Sequence, residues 1–507
     1  MGQSQILIAG AGPTGLMLAM QLARRGVPLR IVDKATGPGE HSRALVLHAR
    51  SLEFYRQLGL ADAIVSNGII IDTIRARRSG SAFAALHFKD MGAGLSPYPF
   101  VLGYPQDVHE RFLVARLAEL GVQVDWGVEL TGFTQDDRGV RAQLARAGAV
   151  ETVEASYLAG CDGAHSAVRQ GLGLHFDGGT YLHRFYVADV HLNGDAGNDL
   201  LVNLERGGLA LIMPVRGTKT HRLIGIVPEE FGERTDLEFT DIHKSAEAML
   251  HISIAKADWF STYHVHHRVA QHFHVGRCFL AGDAGHIHSP AGGQGLNTGV
   301  GDAVNLAWKL ADVLGGRAPA TLLGSYEPER IAFARRLVAT TDTAFEWMTG
   351  ATTASDILRQ WVVPNVLPAL TEFSRVRREI FKIVSQIAIG YRDSPISAGA
   401  AEAVHGGDRL PWVAWPAGDN FAGLASLDWQ LHVYGSVRAE TAAAARALNL
   451  PCFEYTWSGP AEHAGLGKDA AYLVRPDGHV ALALPDQDVA RLRSFVQQHG
   501  LTFAATV

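Results

Sequence analysis

Two glycine-rich turns, each tied to an acidic residue, carry the chemistry that this sequence offers. Gly10-Ala11-Gly12-Pro13-Thr14-Gly15 follows a short apolar run at 5–9 and precedes a stretch, 16–25, with one apolar face; a second apolar run at 29–32 then ends in Asp33. Strand, glycine turn, helix, strand and terminal acid within about thirty residues predict a dinucleotide-binding unit. The helix N-terminus offers unbonded N–H groups to a pyrophosphate, and Asp33 is placed for a ribose hydroxyl. Spacing alone leaves FAD and NAD both open. The second turn lies in residues 276–310: an apolar run at 278–281 ends in Gly282-Asp283, passes Pro290 and the glycines up to Gly295, and opens into a helix from about Leu296. A carboxylate and a fan of backbone N–H groups then share one strand end, which suits a ligand with hydroxyls and an electron-rich edge. The plain reading of the same residues is a capped strand-turn-helix connection.

Three shorter segments have plain readings when taken alone. Asp162-Gly163 followed by Ser166 is a turn and a helix N-cap. Gln106 opens a helix after Pro105 as a first-turn residue. Arg43, after His41-Ser42, is a solvated cation, although a guanidinium is well shaped for a phosphate. His264 and His266 share one face of an expected strand, but no third ligand follows at metal spacing, so no metal is expected.

The run from Gly276 to Leu310 resembles the second flavin-contacting motif of the class A flavoprotein monooxygenases, the para-hydroxybenzoate hydroxylase and phenol hydroxylase superfamily. The likeness extends to the first glycine turn, to Ser42-Arg43-Ala44, to Pro105-Gln106 and to the segment around Asp162-Gly163. It implies FAD held by Gly10, Gly12, Pro13, Thr14, Gly15, Asp33 and Lys34, with Arg43 near the phosphates. Gln106 and Asp162 are implied as further flavin contacts. In the central motif the resemblance implicates Gly282, Asp283, Pro290, Gly293, Gly295, Leu296 and Asn297, with Asp283 on the ribityl chain. The helix after it would aim its positive end at the pyrimidine edge, where a helix N-terminus favours negative charge by up to roughly 2 kcal/mol.

The implied reaction consumes NADH or NADPH and O₂ and hydroxylates a phenolic or polycyclic aromatic substrate through a flavin hydroperoxide. Baeyer–Villiger-type oxygen insertion and a non-catalytic flavin- or ligand-binding role remain as alternatives. The substrate hydroxyl calls for a base or polar relay. No motif locates it; Tyr98, Tyr104, Tyr181, Tyr186 and His191 are candidates that have packing roles as their plain alternative.

The elements around these turns predict an α/β protein. A Rossmann-like FAD-binding domain of the GR2 type (residues 1–72, 101–175 and 273–345) is interleaved with a mostly antiparallel substrate-binding sheet (73–100 and 176–272), where the apolar pattern alternates. A helical segment (346–395) and a thioredoxin-like C-terminal domain (396–507) follow, with a composition shift at 392–407 that reads as a linker. The C-terminal part has no C-x-x-C; Cys452 stands alone, against redox chemistry there.

Composition sets the outer bounds. With 507 residues the chain exceeds one ordinary core, and 47% hydrophobic against 19% charged residues is the mixture of a packed globular protein. A formal charge of −6 gives no general attraction for nucleic acid or anionic membrane. The apolar start at 6–22 lacks a basic leader and is broken by glycines, so it is not read as a signal peptide. A cytoplasmic monomer or homodimer acting on a small aromatic molecule is expected.

Overall fold

The computed structural model describes residues 5–39, 45–78, 81–194, 197–205, 208–215, 220–232, 234–289, 291–349 and 373–503. Its architecture is α/β. The first sheet has six strands in the order His274–Val275, Cys278–Leu280, Tyr157–Gly160, Ile6–Ala9, Leu29–Asp33 and Val124–Trp126. Every pairing in it is parallel except the short hairpin between its first two strands. Parallel strands are covered on both faces, and Ile6, Leu7, Ile8, Cys278, Phe279 and Leu280 are accordingly buried without alternation. Helices Pro13–Arg24 and Gln294–Leu314 pack together beside this sheet. Glycine permits their approach: a Cβ on Gly299 would stand 2.2 Å from Thr14 Oγ1.

The second sheet has eight strands, dominated by the 17-residue strands Phe176–Leu192 and Ile254–Ala270. Its pairings are antiparallel except for Thr73–Arg78 with Leu200–Glu205. Helix Phe239–Leu250 covers one face, burying Tyr186, Ala188, Ile212 and Leu223 against Ile242 and Ala246. The opposite face carries Met213, which joins the core of the first sheet. Two neighbouring stretches form smaller sheets of their own or join the first. Ile69–Ile71 pairs with Val101–Gly103 in a small separate sheet. Val124–Trp126 extends the first sheet, while Glu129–Gln135, Val140–Arg146 and Ala149–Ala155 form a three-stranded antiparallel unit of their own.

A third core lies in the C-terminal part, where six strands order as Val404–His405, Ala398–Ala401, Val480–Leu484, Ala471–Val474, Gln430–Tyr434 and Cys452–Tyr455. This overturns the linker reading of 392–407, because Ala398 and Gly399 pair in parallel with Leu482 and Ala483. Gly399 makes that possible: its φ is 75°, and a Cβ there would stand 2.2 Å from the Ala483 carbonyl oxygen. Of the helical segment expected at 346–395, Ser374–Val384 is a helix, and residues 350–372 lie outside the described residues.

Candidate cofactor site at the strand ends

The carboxyl ends of three adjacent parallel strands bring the sequence motifs together. Ile6–Ala9, Tyr157–Gly160 and Cys278–Leu280 are neighbours, so the turns that leave them, at Gly10, Asp162 and Gly282, meet at one edge. Open α/β sheets place ligands at that edge. The contacts are close. Gly10 has φ 101°, and a Cβ there would stand 2.2 Å from the Cys161 carbonyl oxygen; one on Gly282 (φ 62°) would stand 2.5 Å from Thr14 Oγ1.

Gly12 differs from those two. It caps helix Pro13–Arg24 with no side-chain hydrogen bond, and nothing lies within 4 Å of where its Cβ would be. The unbonded N–H groups of that helix start therefore look onto open space, as a bulky anion requires. Asp33 closes the other side. Its Oδ2 accepts from the Ala11 N–H at 2.7 Å and its Oδ1 from the Ala35 N–H at 2.8 Å, which locks the glycine turn to the end of its strand. Lys34 is exposed beside it. Gln106 stands at the start of helix Gln106–Glu119 and donates to Glu110 Oε1 at 2.8 Å, while Glu110 Oε2 accepts from the Gly39 N–H at 2.9 Å. Arg43 and Pro290 lie outside the described residues.

The second helix start is built by two left-handed glycines. Gly292 (φ 72°) and Gly293 (φ 63°) turn the chain so that the helix begins at Gln294, two residues earlier than expected, again with no side-chain cap. Gly295 and Leu296 thus lie in the first turn, where N–H groups have no helical partner. The Asn297 side chain is consumed by the fold: Nδ2 donates to the Val46 and Gly293 carbonyls at 3.0 and 2.9 Å, and Oδ1 accepts from the His48 N–H and the Ser51 hydroxyl at 2.8 and 2.7 Å. His48 Nε2 donates to the Gly292 carbonyl at 2.8 Å, and burial lowers this imidazole to about 4, so it is neutral. Asp283 is exposed at the rim. Asp162 is pushed up by burial, against the Ser166 hydroxyl and the Val168 N–H. Ser166 caps the short helix Ala167–Gly171, accepting from the Arg169 N–H at 3.0 Å. Beside the second turn, His288 Nε2 and Ser289 Oγ are buried with no hydrogen-bond partner among the described residues. Two uncapped helix starts, an open position over Gly12 and orphaned polar atoms at the same edge suit a dinucleotide.

One set of site residues escaped sequence reasoning. Fully buried Asp302 accepts from the Gly282 N–H at 2.9 Å, from His286 Nε2 at 2.7 Å and from Arg330 Nε at 2.6 Å. Burial raises the Asp302 carboxyl, but Arg330 and His286 outweigh it and hold it below the usual carboxylate range. The sequence does carry a trace: Asp302, Asn305, Lys309 and Asp312 recur at helical spacing, a polar stripe that is buried along an otherwise apolar helix.

Across the second sheet, a row of Cα partners runs Met213, Arg222, Asp189, Trp259. Arg222 is buried and donates twice to Asp189, at 2.8 Å each, with the Trp259 ring 5.8 Å from its guanidinium. Because Met213 on the same face packs into the first core, this polar row faces the first sheet. The candidates for a base are scattered. Tyr186 is buried on the helix-covered face, Tyr98 is pushed up to about 12 by burial, Tyr181 meets His267 edge-on, and His191 Nε2 lies 2.6 Å from Asp258 Oδ2. Tyr104 is buried beside His109.

Comparison with known proteins agrees with this geometry. Residues 3–341 match the family model described as FAD binding domain. The chain is 38% identical over 421 residues to 6-methylpretetramide 4-monooxygenase of Streptomyces rimosus, covering 79% of this chain and 72% of that one. It is 37% identical over 343 residues to a flavin-dependent monooxygenase of Mycobacteroides abscessus, covering 65% and 71%. Among solved structures, aklavinone-11 hydroxylase in a ternary complex with FAD and aklavinone superposes with a TM-score of 0.79 at 27% identity, over 98% of this chain and 99% of that one.

Proposed function

The chain belongs to the FAD binding domain family and is an FAD-dependent aromatic monooxygenase, and from that premise we propose how its residues do this work and on what. Bound FAD would supply the redox chemistry: two electrons from NADH or NADPH and one O₂, of which one oxygen atom goes to an aromatic ring and the other leaves as water. The substrate is a phenolic or polycyclic aromatic compound, as in the relatives. The observation that carries the reading is the convergence of Gly10, Asp162 and Gly282 at one sheet edge under two uncapped helix starts.

In this account the N–H groups at the start of helix Pro13–Arg24 bind the pyrophosphate over Gly12, and Asp33, already fixed by Ala11 and Ala35, accepts from a ribose hydroxyl. Lys34, Arg43 and Gln106 complete that side. Asp283 accepts from ribityl hydroxyls, and the N–H groups of Gly295 and Leu296 take the electron-rich flavin edge, where they offset negative charge, while the Asn297 side chain holds that turn in place. Pro290 and Gly293 shape the turn, and Asp162 fixes the third strand end. Arg222, oriented by Asp189, and Trp259 line the substrate side, where the guanidinium steadies a phenolic oxygen and the indole excludes water.

The nucleotide-binding part is of the GR2 type, built from 1–72, 101–175 and 273–345; the substrate part is 73–100 with 176–272; and 396–507 forms a thioredoxin-like domain after the segment 346–395. The protein is cytoplasmic; no helix among the described residues is long and apolar enough to cross a membrane.

The test is NAD(P)H consumption by the FAD-loaded protein against single-ring and polycyclic phenols, with peroxide and product quantified together. Acceleration by one phenol with product in place of peroxide supports the reading. Oxidation that no phenol accelerates, with peroxide alone, counts against it.

A further inference from the structure

The ionic network beneath the second glycine turn does not end in the nucleotide-binding part. Asp302, which holds the Gly282 N–H, is gripped by Arg330, whose Nη2 also donates to the Thr298 carbonyl at 3.0 Å and whose Nη1 donates to Tyr391 Oη at 2.9 Å. The adjacent residue, Glu329, points into the C-terminal part. Its two oxygens accept from Arg475 Nη1 and Nη2 at 2.8 and 2.9 Å, and they also take Lys309 Nζ at 2.8 Å, Asn305 Nδ2 at 2.6 Å and Ser394 Oγ at 2.6 Å. Arg475 follows the C-terminal strand Ala471–Val474 and is itself held by Asp477 at 3.1 and 2.5 Å. Tyr391 ties the two halves: besides bonding Arg330, its ring lies 5.3 Å from the Arg475 guanidinium and 4.4 Å from the His479 ring.

Every charged member of this chain of contacts is buried: Asp302, Lys309, Glu329, Arg330, Arg475 and Asp477. A carboxylate in such surroundings keeps its charge only because cations are fixed around it; Arg475 and Lys309 hold Glu329 down to about 2 although burial pushes it up. Helix Gln294–Leu314 reaches both ends of the network. Its first turn forms the uncapped start at Gln294, and Trp308 packs into the C-terminal core with Trp429, Leu431 and Leu473 while its Nε1 donates to Asp477 at 3.2 Å. At about 1.5 Å per residue, that is a rigid span of roughly 20 Å between cofactor edge and C-terminal sheet.

We propose that the C-terminal part is a positioning element of the FAD site: Arg475, through Glu329 and Arg330, fixes Asp302 and so the Gly282-Asp283 backbone, with Tyr391 as the second link. This rests on the reading of those strand ends as the FAD site. Glu329 and Arg330 are neighbours on helix Tyr326–Thr349, so a loose Arg475 lets Glu329 shift, and Arg330 moves with it. No catalytic contact is assigned to Arg475 or Tyr391. Their effect is on the geometry with which the flavin is held.

The experiment uses the full chain and titrates the apoprotein with FAD, reading flavin fluorescence for affinity and visible circular dichroism for the asymmetry of the bound isoalloxazine. Arg475→Lys and Tyr391→Phe are compared with Leu492→Ala, a cavity in the C-terminal core outside the network. The two network variants should weaken FAD about three- to tenfold, the span expected when a contact one layer away modulates a binding site. They should also change the dichroism, while Leu492→Ala lowers the melting temperature with affinity and dichroism unchanged. Wild-type affinity and dichroism in both network variants overturn the proposal. So does an equal loss in Leu492→Ala, which would mark general loosening. If Arg475→Lys does not fold, Tyr391→Phe decides alone, since it removes one hydroxyl. Failure of the wild type to bind FAD is a separate result that removes the site reading and this proposal together.

Discussion

Arg330 Nε donates to Asp302 Oδ1 across 2.6 Å, and Asp302 Oδ2 in turn accepts from the Gly282 N–H at 2.9 Å. An arginine on one helix thereby sets the backbone of a turn 48 residues earlier in the chain. Asp302→Asn keeps the shape but leaves Arg330 without its carboxylate. Removing one partner of a buried ion pair costs about 3–5 kcal/mol. Urea unfolding of the apoprotein should show a loss of that order, and the purified variant should carry less FAD than wild type. A loss below about 1 kcal/mol, the level of a surface pair, would show that the pair is not buried as described.

Gly10 and Gly12 of the first turn should separate folding from binding. A Cβ on Gly12 meets no atom within 4 Å, so Gly12→Ala should change apoprotein stability by less than about 0.5 kcal/mol while weakening FAD at least tenfold. Gly10→Ala places a Cβ at φ 101° and 2.2 Å from a carbonyl oxygen, so it should reduce soluble expression or stability before any question of binding arises. Equal behaviour of the two variants would contradict the assignment of Gly12 to the ligand side.

His48 predicts a dependence on pH. Its pKa is lowered by burial from 6.5 to about 4, since protonation would place a second N–H, on Nδ1, in a site with no acceptor among the described residues. Between those values the unfolded chain binds a proton that the folded chain does not. Stability is therefore full above 6.5 and falls as pH drops toward 4. At pH 5 this one group removes about 2 kcal/mol. His48→Gln, which cannot titrate, should flatten the urea-unfolding slope between pH 7 and 5 by about that amount; an unchanged slope would mean the imidazole is not the titrating group.

Asp283 tests the exposed rim. Because it faces solvent, Asp283→Ala should leave the fold intact, with far-UV circular dichroism and melting temperature unchanged. FAD affinity or coupling of NAD(P)H oxidation to product should fall. Normal affinity together with normal coupling would remove Asp283 from the site.

The legible parts of this protein are those written over short distances. The first glycine turn, its flanking strands and Asp33 lie within 28 residues of one another, and the local order of apolar runs, glycines and acid specified them. Spacing places the start of helix Gln294–Leu314 two residues late, because Gly292 and Gly293 both take left-handed backbone, a property that spacing does not show. Ala398–Ala401 reads as linker from sequence because its partner, Val480–Leu484, is far along the chain and its own residues are glycine and alanine, suited to close approach and not to strand propensity. The Asp302–Arg330 pair was missed for a related reason. Charges on a helix read as a solvated face until the packing of a distant segment buries them, as Tyr391 and Arg475 do here.

Oxygen transfer to an aromatic ring is tested by mass spectrometry of the product formed under ¹⁸O₂ by the FAD-loaded protein with NADH or NADPH. A panel of single-ring and polycyclic phenols that includes 6-methylpretetramide serves as probe. One ¹⁸O atom in a hydroxylated product, formed only when reductant is present, is the predicted result. A product whose new oxygen comes from water, or reductant oxidation that yields unlabelled phenol and hydrogen peroxide across the whole panel, would contradict it.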